Sequence, residues 1–174
     1  IGNRIGIQGI GACMKFVMED DMSIPEVDAL FGPALGRPKT AIFKTTDLVG
    51  LDTMAHVAKN SYDLCQEDEQ RESMNLPGFI AKMLEKNYLG NKTQGGFYKA
   101  ELTPEWKKIR KVLNIKTLEY EDLVRPTFPC LDAAKKKDRL AEKLACVLKG
   151  DDKGAKFAWR CVANAFQYAA NRVP

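Results

Sequence analysis

The sequence predicts an all-α chain that carries one small β-hairpin. Three observations lead there. Apolar residues recur at helical spacing through most of the 174 residues. Helix-start signals stand before the periodic runs, among them Ser23-Ile24-Pro25-Glu26 and the Asp151-Asp152 pair of "KGDDKG". Only the stretch after "LGNKTQGG" breaks the pattern, with the aromatic pair Phe97-Tyr98 and the later run "IRKVLNIKTLEYE", both strand-like.

The opening "IGNRIGIQGIGACM" places Ile1, Ile5, Ile10, Met14, Val17 and Met18 at roughly helical intervals. Glycine costs ~1 kcal/mol in a helix interior, so Gly2, Gly6 and Gly9 read as points where another backbone comes close, helix against helix. A dinucleotide-binding loop is the competing reading, but G-x-G-x-x-G requires a strand before it and a third glycine where this chain has Met14. Ser23 and Glu26 then form a capping box around Pro25, starting a short helix that Gly32-Pro33 stops after Phe31.

A loop, "ALGRPKTAIFK", leads to a long helix beginning near Thr45, Thr46 or Asp47. Its stripe is Leu48, Leu51, Ala55, Ala58, Tyr62 and Cys65, with Asp47 as its N-terminal cap. Pro77 opens the next helix, bearing Phe79, Ile80, Met83 and Leu84 to about Asn87. The hairpin pairs Gly96–Lys99 with the run that follows. Two further helices are expected at Ala133–Leu148 and Asp152–Asn171.

Composition narrows the function. A net charge of +4 permits an anionic ligand but carries no concentrated basic stripe of the kind nucleic acid demands. Lys135-Lys136-Lys137 is flanked by Asp132, Asp138 and Glu142, a solvated helix face. Five scattered cysteines without a C-x-x-C, and a single histidine, argue against a zinc site or disulfide scaffold and for a reduced, cytoplasmic setting. No signal peptide or membrane-length apolar run is present, so no membrane partner is expected. The ends at Ile1 and Pro174 read as those of a piece of something larger.

Familiar catalytic sets are missing. His56 lies about 100° off the apolar stripe, on the flank of its helix. Asp47 and Asp52 fall on different helix faces and do not make an acid/base pair. The two ends echo each other, Asn3-Arg4-Ile5 against Asn171-Arg172-Val173, as the start of a tandem copy would.

In order, "NRI" on an apolar helix, "EVDAL…G…GRP", "DLVGLDT" and "GNKTQGGFYK" resemble the C-terminal helical domain of 3-hydroxyacyl-CoA dehydrogenases over Ile1 to Lys99, nearest the bacterial type fused to an enoyl-CoA hydratase. The resemblance implies a helical bundle of the 6-phosphogluconate dehydrogenase C-terminal type at 1–99, a hairpin and linker at 100–130, and a connector at 131–174 entering a second helical repeat. It implies an NAD-dependent enzyme of fatty-acid β-oxidation whose Rossmann domain, holding NAD and a His-Glu pair, lies upstream, so that the isolated chain binds no cofactor and is inactive alone. It assigns Asn3 a catalytic and substrate-binding place beside the substrate oxygens. Arg37 and Lys92 become candidate contacts for acyl-CoA phosphate. Where many relatives read "MGPFEL", this chain has Lys39–Lys44, so chain-length preference does not carry over. The apolar stripe Ala158, Val162, Ala165, Phe166, Ala169 and Val173, widened by Trp159 and Cys161, points to a homodimer. The rival reading is a non-catalytic helical dimerisation module of the same fold.

Overall fold

The computed structural model describes residues 2–172. Among them are eight α-helices and one three-stranded sheet: α1 (Gly2–Glu19), α2 (Ile24–Leu30), α3 (Phe43–Val49), α4 (Leu51–Leu64), α5 (Gly78–Glu85), β1 (Tyr98–Leu102), β2 (Lys108–Leu113), β3 (Tyr120–Asp122), α6 (Pro129–Lys135), α7 (Leu140–Leu148) and α8 (Lys153–Ala170). The strands are antiparallel in the order β1-β2-β3, with Tyr98 opposite Val112 and Val112 opposite Glu121. The expected hairpin is thus a three-stranded meander, because "TLEYE" returns as a third strand instead of extending the second.

Local signals act as expected at several helix ends. The Glu26 carboxylate accepts from the Ser23 amide at 2.7 Å and from its hydroxyl at 2.8 Å, closing the start of α2. Asp152 caps α8 by accepting from the Ala155 amide at 2.9 Å, and its second oxygen accepts from Cys130 N–H at 2.8 Å, tying α8 to α6. The run expected as one helix at 133–148 is two, since Asp138-Arg139 lies between α6 and α7.

The long helix expected from Asp47 through Cys65 is also two. Gly50, at φ +102°, separates α3 from α4 with a backbone angle open to glycine and strained for other residues. Asp47 is therefore not an N-cap. It sits buried in the last turn of α3 and accepts from the Phe97 and Tyr98 amides, both at 2.8 Å. The true acceptor at the start of α3 is Asp28 of α2, which takes N–H bonds from Ile42 at 3.1 Å, Phe43 at 2.8 Å and Lys44 at 3.2 Å. The Tyr98 hydroxyl donates to the same carboxylate at 3.0 Å. Two buried carboxylates thus hold α3 between α2 and β1.

The core spreads around this clamp. Phe43 and Phe97 pack 4.6 Å apart, and Phe31 meets Phe157 edge-on at 6.2 Å. Both pairs are buried, each such side chain contributing about 1.5–3 kcal/mol by removal from water. α1 runs antiparallel to α8, as the pairs Arg4–Tyr168, Gln8–Asn164 and Asp20–Arg160 show. Ile5 and Ile10 pack beside the core and Met14 and Val17 are buried, whereas Met18 is exposed; Ile1 lies outside the described residues. The expected stripe of α8 divides. Ala158 and Cys161 are buried, Val162 packs beside the core, Ala169 is half-buried and Ala165 meets Gly9 of α1, but Trp159 and Phe166 point to solvent; Val173 lies outside the described residues.

The first helix's glycines separate by role. Of the three expected at a helix contact only Gly9 meets one, Ala165 of α8, whereas the close backbone approach is at Gly11, where a Cβ would stand 1.8 Å from the Ser73 carbonyl oxygen of the 3-10 turn at Arg71–Met74. Gly9 makes an ordinary contact with Ala165, and at Gly2 and Gly6 no described atom lies within 4 Å.

Two measurements check the clamp. Gly90 lies at φ +105°, and a Cβ there would come within 2.4 Å of the Asp47 carbonyl oxygen. Gly90→Ala is expected to lower unfolding free energy in urea by more than about 2 kcal/mol, from backbone strain and clash together. Burial also pushes the Asp47 carboxyl up to about 6, against the pull of its two backbone donors, and raises Asp28 in the same sense. An unfolded aspartate titrates near ~3.9, so between the two values the folded chain keeps a proton that the unfolded chain has released. Stability from Asp47 is full below about pH 4 and is lost as pH rises through about 6. Urea midpoints across pH 4 to 7 should fall through that window, and Asp47→Asn should remove much of the slope.

Candidate functional site

A groove of about 400 Å³ opens between α1, the loop at 37–42, α3 and α4. That volume is at the lower end of the ~300–1,000 Å³ common for small-molecule sites. Its α1 wall is Gly2, Asn3, Gly6, Ile7 and Ile10; Ile42, Thr45, Thr46 and Val49 face it, and Thr53, Met54 and Val57 of α4 form the third side. Helical geometry explains the first wall, since residues three and four apart share a face. The clamp explains the second: Asp28 and Asp47 fix α3, and the break at Gly50 turns Val49 outward, 57% exposed, at the groove's rim.

Asn3 stands exposed in the first turn of α1. A side-chain amide there can donate or accept without changing charge. Arg37 lines the same groove, its guanidinium 5.3 Å from the Phe31 ring centre, and no carboxylate among the described residues pairs with it. It is the one charged residue on the lining. Asn3 and Arg37 are therefore brought together across apolar walls, an arrangement suited to a ligand with an apolar chain and a polar or anionic head.

Lys92 is placed differently. It follows Gly90 and binds Asp52 of α4 through both carboxylate oxygens, at 2.5 and 2.6 Å, away from the groove lining. The same lysine draws the Asp52 carboxyl below its ordinary range. His56 is exposed on α4, its Nε2 3.1 Å from the Asn60 side-chain nitrogen. Asp47 and Asp52 do not meet, the one in α3 being buried against the Phe97 and Tyr98 amides and the other held by Lys92. Among the described residues no cluster of three metal-ligating side chains occurs, and no helix is long and apolar enough to cross a membrane.

Sequence reasoning missed three contributors. Thr45 and Thr46 line the groove, but Thr45 bonds the Ala41 carbonyl at 2.7 Å and Thr46 that of Ile42 at 3.1 Å, so both hydroxyls serve the helix start. Asp28 shapes the site from below, and no pattern at "EVDAL" marks it as an acceptor for amides fourteen to sixteen residues on. The echoed motifs meet at one carboxylate: Arg4 donates to Asp68 at 2.7 Å and Arg172 lies 3.5 Å from its other oxygen, with the Tyr168 hydroxyl also donating. Burial opposes ionisation of Asp68, but these donors and the Gln70 amide hold its carboxyl below the usual range. Arg4 is thus engaged behind the groove while Asn3, one residue earlier, faces it.

The glycine pair of the first helix is not a phosphate-binding loop. Gly9-Ile10-Gly11 lies in the middle of α1 with Gly11 against the Ser73 carbonyl, which leaves no backbone amides free to cradle phosphate.

The family model for the 3-hydroxyacyl-CoA dehydrogenase C-terminal domain matches residues 1–100. A Bacillus subtilis protein described as a probable 3-hydroxyacyl-CoA dehydrogenase is 37% identical over 98% of this chain and 21% of its own length. A Deinococcus radiodurans protein of the same description is 36% identical over 67% of the chain and 34% of its own. A Rickettsia prowazekii protein, provisionally named a fatty acid oxidation complex trifunctional enzyme, is 31% identical over 69% of the chain and 17% of its own. The matched stretch therefore spans between 17% and 34% of the length of these relatives. No solved structure matches it. With the family model matched over residues 1–100, more than half of its length, the chain belongs to the 3-hydroxyacyl-CoA dehydrogenase C-terminal domain family.

Proposed function

We propose that this chain is the substrate domain of an NAD-dependent 3-hydroxyacyl-CoA dehydrogenase acting in fatty-acid β-oxidation. The reaction takes a 3-hydroxyacyl-CoA to the 3-oxoacyl-CoA: the C3 hydrogen leaves as hydride and the hydroxyl proton goes to a base. The observation that carries the reading is the groove, apolar on three sides and holding Asn3 and Arg37 at its surface. Cofactor and base are assigned to a separate Rossmann domain, since Gly9 and Gly11, the pair that begins a dinucleotide pattern, lie inside α1 against Ala165 and the Ser73 carbonyl. When bound there, NAD supplies the hydride acceptor.

Asn3 serves the substrate oxygens. A neutral donor stabilises charge growing on a carbonyl or alkoxide without competing for the proton being removed. Arg37 is the proposed contact for the anionic part of CoA. Lys92 can join it only by exchanging its Asp52 partner. The bundle is proposed as the 6-phosphogluconate dehydrogenase C-terminal type in 1–99, with 100–130 linking it to the helices of 131–174. The shared use of Asp68 by Arg4 and Arg172 supports reading "NRV" as the opening of a second copy.

In the full-length protein, Asn3→Ala is expected to lower kcat on a 3-hydroxyacyl-CoA by at least ~10-fold, about 1.4 kcal/mol of lost transition-state contact. NAD affinity, measured by titration, should not change. Near-normal turnover would reduce Asn3 to a helix-start residue.

Association is the second expectation. Trp159, Ala163, Phe166 and Ala170 share one face of α8, and Trp159 and Phe166 are 57% and 71% exposed. Such a stripe favours a homodimer through α8. Light scattering behind size exclusion should give twice 19.5 kDa for the isolated chain, and Trp159→Glu with Phe166→Glu should return it to a monomer.

A further inference from the structure

We infer that Gly6 determines acyl-chain specificity, by keeping the α1 wall of the groove low where the tail of the substrate passes. The inference rests on the dehydrogenase reading of the groove. Its starting point is a residue that the fold itself does not require. Gly6 lies inside α1, where glycine is unfavourable, and its backbone is not among those with positive φ. Packing does not require it either: a Cβ there meets no described atom within 4 Å. Gly11, five residues on, shows what a packing glycine looks like, with a backbone carbonyl 1.8 Å from its absent Cβ.

What Gly6 borders is space. It lines the groove with Asn3, Ile7 and Ile10, opposite Thr46, Val49 and Val57. Asn3 and Gly6 are three residues apart on one helix face, so their Cβ positions are about 5–6 Å from each other. An acyl group whose C3 oxygen is held at Asn3 runs the carbons beyond C3 past Gly6 toward Ile10 and Val57, where the lining is apolar. A side chain at position 6 would stand in that path. A short acyl group ends before reaching it, and a long one does not. Gly6, Ile7, Ile10 and Val57 offer that stretch only uncharged, apolar contacts, which suit the tail, whereas the anionic part of CoA has its own contact at Arg37.

The test is a pair of substitutions in the full-length protein, Gly6→Ala and Gly6→Leu, assayed on a four-carbon and a sixteen-carbon 3-hydroxyacyl-CoA. Thermal unfolding of both variants is measured alongside. Both replacements favour helix, so melting temperatures at or above that of the unsubstituted protein are expected. Gly6→Leu should cut kcat/KM on the long substrate at least ~10-fold more than on the short one, with Gly6→Ala between. An equal loss on both substrates would mean that the CoA arm or a neighbouring domain lies against Gly6, and overturns the inference. An unchanged ratio with a folded protein overturns it as well. A lowered melting temperature in Gly6→Ala would give the glycine a structural role instead and count against it. If the unsubstituted protein oxidises neither substrate, it is the dehydrogenase reading that falls.

Discussion

The position of α3 rests on two buried carboxylates that accept backbone amides. Asp28 takes three N–H groups at the start of the helix, and Asp47 takes two from β1 at its end. A buried carboxylate is costly, and burial raises both groups above the usual carboxylate range. The amides recover much of that cost, because a charged acceptor makes a stronger hydrogen bond than a neutral one. They also satisfy donors that would otherwise be buried without partners. A helix of only seven residues has little stability of its own, so these bonds decide where it lies.

The groove follows from that constraint. α1 and α4 are longer, amphipathic helices that the core would place without help. Between them α3 supplies the wall of Thr45, Thr46 and Val49, and its exit at Gly50 turns the chain sharply into α4. Gly90 and Gly96 complete the arrangement from the other side. A Cβ at either would strike Asp47, at its backbone oxygen or at Oδ1. Gly90 and Gly96 of "GNKTQGGFYK" therefore let a sheet edge approach a buried charge. Tyr98 links the two acidic residues, donating its amide to one and its hydroxyl to the other.

A third buried carboxylate acts in a similar way between α1 and α8. Asp68 gathers Arg4, Tyr168 and Arg172, so the first turn of α1 and the last turn of α8 are held at one point. Asn3 is thereby carried on a helix end anchored from behind, which suits a residue that must present its amide at a fixed place. The outer face of α8, with Trp159 and Phe166, takes no part in this and stays exposed.

Much of this was legible in the residues. Periodicity located α1, α2, α5 and α8, the Ser23–Glu26 box and Asp152 marked helix starts, and four ordered motifs pointed to the family that the first hundred residues belong to. Asn3 and Arg37 were nameable from those motifs, and the fold brings both to one groove. What the sequence could not supply were consequences of distance along the chain. Asp47 looked like a cap because its partners lie fifty residues away, and Lys92 looked free because Asp52 is forty residues from it. The periodic stripe runs on through Gly50, whose positive φ breaks the helix in two. Gly6 and Gly11 carry the same local signal and do different work, one facing open space and the other a carbonyl oxygen. Local propensity and periodicity are written in neighbours, so sequence alone determined the helices; long-range hydrogen bonds and shared space arise only when those helices meet, and the tertiary structure decided the site.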